Sequence, residues 1–128
     1  MSFDYLIDSY AWVEYYTGSK KGIKIKEIIE TKNIATPILA IAELSDKFAR
    51  ENNDFNELFQ FINSRSTIIP LNVKIAIEAG KLKCEMRKKF KQFGLVDAII
   101  YLTAKLNNSK LLTGDEHFKD LDGVELLN

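Results

Sequence analysis

Short apolar runs alternate with longer amphipathic stretches along this 128-residue chain, and that alternation constrains its fold more than any other feature. Strands separated by helices pair parallel, with the helices laid over both faces of the sheet. Tyr5-Leu6-Ile7 reads as a first strand, and Ser9 to Tyr16 as the helix after it. Gly22 to Glu30 is a lysine-rich amphipathic helix that turns Ile25, Ile28 and Ile29 inward. Asn33 to Thr36 is a second strand, followed by Pro37, which suits the first turn of a helix running from Ile38 to Glu51. Phe55 to Asn63 repeats apolar residues at helical spacing, and Thr67-Ile68-Ile69 is a third strand closed by Pro70. Val73 to Phe90 reads as one long helix, and Leu95 to Leu106 as a shorter, very apolar one. Lys110-Leu111-Leu112 and Val124-Glu125-Leu126 are the fourth and fifth strands. With no internal repeat and no Pro/Gly-rich linker, residues 1–128 are expected to form a single α/β domain.

Composition excludes more than it specifies. The chain is 46% hydrophobic and 28% charged, as an ordinary globular protein is, and its formal net charge of zero gives no overall pull toward nucleic acid. The single cysteine, Cys84, cannot form an internal bridge and suits a reducing cytoplasm. No apolar stretch is long enough to span a bilayer, and the opening Met-Ser-Phe-Asp does not read as a secretion signal.

The chemistry lies in four acids far apart in sequence. In a parallel α/β sheet, right-handed crossovers put every strand's exit and every following helix's start on one edge. Asp8 immediately follows the first strand, and Asp115 follows the fourth across Thr113-Gly114. Asp97 stands in the first turn of an apolar helix, just after a cap at Gly94. Glu43 lies in the second turn after the second strand, but helical side chains lean toward the N-terminus, back to the same edge. If the strand order reverses between strands one and four, all four overlook the crevice where such folds bind ligands.

Each acid also has an ordinary structural role open to it. Asp8 or Ser9 can cap the first helix, and Asp115 a short helix through His117 and Phe118. Asp97 can sit at a positive helix end, and Glu43 can pair with Lys47. Asp97 and Glu43 resist these readings, because their neighbours (Ala98 to Leu102, and Leu39 to Leu44) place them on helices expected to be buried. Crowded carboxylates need compensation, and a hard divalent cation provides it: Mg²⁺ or Mn²⁺ prefers oxygen ligands. His117 in a turn reads as a surface residue and Cys84 as helix packing, so neither is expected as a ligand.

The segments Tyr5-Leu6-Ile7-Asp8-Ser9, Ala42-Glu43-Leu44, Leu95-Val96-Asp97-Ala98 and Leu112-Thr113-Gly114-Asp115-Glu116-His117-Phe118 resemble the four signature positions of the PIN domain, in order, spacing and placement. The chain is similar to the small VapC-type toxins of prokaryotic toxin–antitoxin pairs. The resemblance implies a parallel sheet ordered 3-2-1-4-5 and endoribonuclease activity dependent on one or two Mg²⁺ or Mn²⁺ ions. It makes Asp8, Glu43, Asp97 and Asp115 the metal-binding and catalytic set, with Ser9 and Thr113 as supporting hydroxyls. It also implies a homodimer and a small antitoxin partner that places a basic side chain over the acids.

An RNA substrate must be drawn by a local patch. Lys81, Lys83, Arg87, Lys88, Lys89 and Lys91 form a basic run at the end of the long helix, which reads equally as phosphate steering or as a solvated face. The aromatic residues of the first helix, with Phe48, Phe55, Phe59 and Phe61, are mostly core, leaving a remainder for a dimer face or a peptide groove. A phosphoacceptor receiver domain is excluded, because the third strand ends in Ile69-Pro70 and Lys110 begins a strand rather than following one. A DNA-directed nuclease of the same fold and a non-catalytic RNA-processing scaffold stay open.

Overall fold

The computed structural model describes residues 2–127. Their elements follow in the order β1 (Tyr5–Ile7), α1 (Ser9–Thr17), α2 (Lys20–Thr31), β2 (Ile34–Pro37), α3 (Ile38–Arg50), α4 (Asn56–Arg65), β3 (Thr67–Ile69), α5 (Val73–Met86), α6 (Leu95–Leu106), β4 (Lys110–Thr113), a 3₁₀ turn (Glu116–Phe118) and β5 (Val124–Leu126). The strands form one sheet in the order β3-β2-β1-β4-β5, every pairing parallel. Connections from β1 therefore leave toward β2 on one side while β4 occupies the other. That is the reversal that opens a crevice at the carboxyl ends of the central strands.

Period-two alternation in the strands builds a core on each face. Leu6, Ala35 and Leu111 point into one, where α5 and α6 add Ile75, Ala79, Ala98, Ile100 and Ala104. Ile7, Ile34 and Leu112 point into the other, closed by Trp12 from α1, Ile25 and Ile29 from α2, Leu44 and Phe48 from α3, and Leu58 and Ile62 from α4. The α2 isoleucines lie inward as their spacing predicts. Both cores converge on β1 and β4, so the carboxyl ends of the strands that deliver Asp8 and Asp115 are buried.

Trp12 is fully buried and carries one polar atom with it. Its indole N–H donates to Thr36 Oγ1 at 3.1 Å, Thr36 lies 2.8 Å from Ser66 Oγ, and Ser66 donates to the Ile62 carbonyl. This chain ties α1 to β2 and α4 with no buried donor left open.

Some boundaries differ from the sequence expectation. Helix α2 starts at Lys20 rather than Gly22, because Ser19 accepts the Gly22 amide at 3.0 Å and caps it. Strand β2 is shifted one residue later, with Pro37 in register with Ile69. The largest correction is α5, expected to continue to Phe90 but ending at Met86. From there the amides of Lys88 and Lys89 bond to carbonyls three residues back, the Arg87 guanidinium donates to the Phe93 carbonyl, and the chain turns so that Phe93 is buried. Arg87, Lys88, Lys89 and Lys91 therefore lie in a turn, not at a helix end.

Thr36→Val keeps the shape of this site but removes the acceptor of the Trp12 indole. It is expected to cost about 1–3 kcal/mol, read as a lower urea midpoint with an unchanged slope. An unchanged midpoint would show that the hydrogen bond contributes nothing.

Candidate metal centre

At the carboxyl edge, between the ends of β1 and β4 and the starts of α1, α3 and α6, lies a cavity of about 490 Å³. Asp8, Ser9, Glu43, Asp97 and Asp115 all line it, together with Tyr10, Lys47 and Arg50. Each acid arrives by a different route. Asp8 is the N-cap of α1, its Oδ1 accepting the Ala11 amide at 2.9 Å. Asp97 is the third residue of α6, and its Oδ2 accepts the Gly94 amide at 2.7 Å. Asp115 caps the 3₁₀ turn by accepting the His117 amide at 2.9 Å, while its own amide donates to Thr113 Oγ1 at 3.0 Å. Glu43, on the second turn of α3, accepts from Ser9 Oγ at 3.0 Å.

Capping and clustering are thus the same geometry. The amide that each aspartate accepts from fixes its rotamer, and the helix start that supplies the amide faces the cavity. Gly114 makes the last approach possible: a Cβ there would overlap the ring of Tyr10, so the turn that presents Asp115 lies flat against α1.

The electrostatics are those of acids held together against solvation and repulsion. Burial pushes Asp8 up from 3.8 to about 7, and the charges of Glu43 and Asp115 push the same way; hydrogen bonds from Thr113 and the Ala11 amide only partly oppose this. Glu43 and Asp97 are also raised, in each case first by loss of solvent and then by neighbouring carboxylates. The arrangement stores unfavourable charge, and a divalent cation among oxygen donors relieves it. Among the described residues, Asp97, Asp115 and His117 bring ligand atoms within 4.8 Å of one another, a donor set that such an ion fits, while Asp8 and Glu43 line the same cavity beside them.

Several residues stand elsewhere than expected. Glu43 is exposed at the cavity mouth rather than buried with its helix, since α3 buries only Ala40, Leu44 and Phe48. Lys47 pairs with Glu51 at 2.7 Å, not with Glu43, and Arg50 with Asp46 at 3.0 Å. Both cations line the cavity, and their spacing of four and seven residues from Glu43 was the signal available in the sequence. His117, read as a surface residue, is partly buried with its Nδ1 3.3 Å from Asp115 Oδ1 and 3.5 Å from Asp97 Oδ2. Cys84 is exposed rather than packed. Of the aromatics weighed as partner surface, Trp12 and Phe48 are buried, while Tyr16 remains exposed.

The basic run divides. Lys81 lies 3.7 Å from Glu78 on α5 and Lys83 is half-buried there. Arg87, Lys88, Lys89 and Lys91 are exposed on the turn that leads to Gln92, whose side chain reaches His117 at 3.3 Å. That contact joins the basic turn to the acidic cavity.

The PIN domain family model matches residues 5–124, which takes in all four acids and all five strands except the last residues of β5. The chain belongs to the PIN domain family. No curated protein matches it in sequence. Among solved PIN-like structures, a toxin–antitoxin complex from Klebsiella pneumoniae is 21% identical with a TM-score of 0.77, covering 98% of each chain. VapC20 of Mycobacterium tuberculosis, a sarcin–ricin loop cleaving toxin, is 13% identical with a TM-score of 0.78, covering 98% of this chain and all of its own. VapBC2 of Rickettsia felis, bound to a promoter DNA fragment, is 21% identical with a TM-score of 0.75, covering 97% and 98%. At these identities the likeness is one of fold.

Because the folded state binds a proton on Asp8 more tightly than the unfolded chain does, ionised Asp8 destabilises the metal-free protein. That penalty is full above about pH 7, shrinks as pH falls, and is nearly gone by about pH 4. Asp8→Asn keeps a good N-cap and removes the charge. In EDTA at pH 8 its melting temperature should exceed that of the parent protein, and the gap should narrow toward pH 5. A variant no more stable at pH 8 would refute the strained-carboxylate reading.

Proposed function

We propose that this protein is a metal-dependent endoribonuclease and the toxin of a toxin–antitoxin pair. One observation carries the reading: of the six acidic side chains that line a single cavity on a PIN domain, Asp8, Glu43, Asp97 and Asp115 arrive from four separate elements, and three of these four have raised proton affinity. A structural scaffold has no need to maintain that unfavourable charge. The likeness in fold to a sarcin–ricin loop cleaving toxin and to toxin–antitoxin complexes supports RNA as substrate and an antitoxin as partner.

In this reading Asp8, Glu43, Asp97 and Asp115 hold one or two Mg²⁺ or Mn²⁺ ions. When bound, the metal supplies positive charge that neutralises the phosphate oxygens and acidifies the attacking water. Ser9 and Thr113 act as supporting hydroxyls: Ser9 holds Glu43 by its Oε1, and Thr113 bridges Asp8 and the Asp115 amide. The basic turn and the cations of α3 orient the phosphodiester backbone at the rim. Lys81, Lys83, Arg87, Lys88, Lys89 and Lys91 remain the proposed RNA-steering set, with the four on the turn best placed.

An antitoxin is proposed to cover the acids with a basic side chain. A second copy is proposed to pack on the apolar stripe of α5, where Val73 and Ile77 are exposed one turn apart, next to exposed Leu71. Among the described residues no helix is long and apolar enough to cross a membrane. Action in a reducing cytoplasm agrees with a free, exposed Cys84.

Asp97→Asn retains the acceptor for the Gly94 amide, so it should fold. It is expected to lose metal-dependent cleavage of single-stranded RNA by at least ~100-fold, as chelation of the metal should. Normal RNA cleavage by the variant would defeat the assignment, and cleavage of DNA but not RNA by the parent protein would redirect it to DNA.

Replacing Lys88, Lys89 and Lys91 together by alanine should reduce the slope of log affinity for single-stranded RNA against log salt by about 2, from roughly 0.7 per phosphate contact. The comparison is best made with the Asp97→Asn protein, so that the RNA survives. An unchanged slope would make these lysines a solvated surface only.

A further inference from the structure

We propose that His117 is a direct nitrogen ligand of the metal bound by Asp97 and Asp115, which makes this end of the cavity a mixed oxygen–nitrogen site preferring a first-row transition cation over Mg²⁺. The inference rests on the reading of the cavity as a metal centre and adds to it a residue outside the acidic set.

The geometry comes first. Ligand atoms of Asp97, Asp115 and His117 all lie within 4.8 Å of one another. His117 Nδ1 is 3.3 Å from Asp115 Oδ1 and 3.5 Å from Asp97 Oδ2, yet the atom is buried and, among the described residues, has no partner in good hydrogen-bond geometry. Buried nitrogen atoms without partners are rare in folded proteins and call for an explanation, an ion among them. Ligands about 2.0–2.1 Å from a common ion stand roughly 3.0 Å apart along an octahedral edge and roughly 3.4 Å along a tetrahedral one. The observed separations suit one shared ion.

The other side of the ring suits such a ligand. His117 Nε2 lies 3.3 Å from Gln92 Oε1, an acceptor for a proton on Nε2, which is the tautomer that a metal on Nδ1 requires. Such an outer contact is how metal-binding imidazoles are usually held. The backbone is fixed as well: the His117 amide donates to Asp115, and Phe118 beside it is buried in an edge-to-face contact with Phe93. An imidazole adds little for Mg²⁺, which favours oxygen and retains its waters, and more for transition cations.

Mn²⁺ serves as the probe because it is paramagnetic. His117 is the only histidine in the chain, so in tag-free protein any imidazole nitrogen coupled to bound Mn²⁺ in pulsed EPR must be its own. The expected result is such a coupling in the parent protein and its loss in His117→Asn. Mn²⁺ affinity should fall by about 10–100-fold in the variant, with a much smaller change for Mg²⁺ measured by competition. Bound Mn²⁺ without imidazole coupling would overturn the role of His117 while leaving the carboxylate site standing. Failure of the parent protein to bind Mn²⁺ at all would overturn both. The parent spectrum decides the matter even if the variant does not fold.

Discussion

Like charges confined where water is scarce repel one another, and this fold is arranged around that constraint. Asp8 is almost wholly enclosed, and Glu43 and Asp115 both raise its proton affinity further. The chain answers with neutral donors at helix starts. Amides of Ala11, Gly94 and His117 each hold one aspartate, and the positive ends of α1 and α6 face the same cavity. These contacts orient the acids without neutralising them. The residual penalty makes the site receptive to a cation, because whatever removes the repulsion is bound in proportion.

Holding such a site requires a rigid surround. The two central strands are buried on both faces, and Trp12, fully enclosed and hydrogen-bonded to Thr36, locks α1 against β2. Since Asp8 caps α1, that lock also fixes the first of the four acids. Across the crevice, Gly114 lets the turn after β4 lie against Tyr10, so the positions of Asp8 and Asp115 are set by contact between their own elements. Packing and chemistry are therefore not separable here: loosening α1 moves two acids at once.

The architecture was legible because its signals are periodic. Strand alternation, the inward isoleucines of α2 and the proline before α3 each follow from local rules, and the strand order came with the family likeness. Features that depend on one long-range contact were not. The α5 boundary was misjudged because Arg87, Lys88 and Lys89 are good helix formers, while the burial of Phe93 that bends the chain leaves no local trace. The placement of His117 beside Asp97 and Asp115 was not legible because a lone histidine has no period; the usable clue was its place two residues after a capping aspartate, where a 3₁₀ turn swings the ring back over the cap. Capping and metal binding were treated as rival explanations of Asp8, Asp97 and Asp115. The cavity shows that one oxygen can accept from an amide while the carboxylate still faces its neighbours.

Charge placement also sets an order of events in the proposed reaction. The chain has no net charge, so attraction of RNA must come from exposed lysines and arginines near the rim. At the centre the ionised acids repel a phosphodiester as strongly as they repel one another. A phosphodiester would settle there only if a bound cation supplied positive charge, so the acids that would hold the metal would by themselves repel the proposed substrate. The rim cations Lys47 and Arg50 are held in exposed pairs with Glu51 and Asp46, worth at most a few tenths of a kcal/mol to ~1 kcal/mol each. Pairs that weak can exchange a carboxylate for a phosphate at little cost, whereas Asp8, enclosed and held by the Ala11 amide, cannot. A strong negative centre and a weakly tethered positive rim thus divide the proposed work: the rim would hold the phosphodiester backbone and the centre would hold the cation.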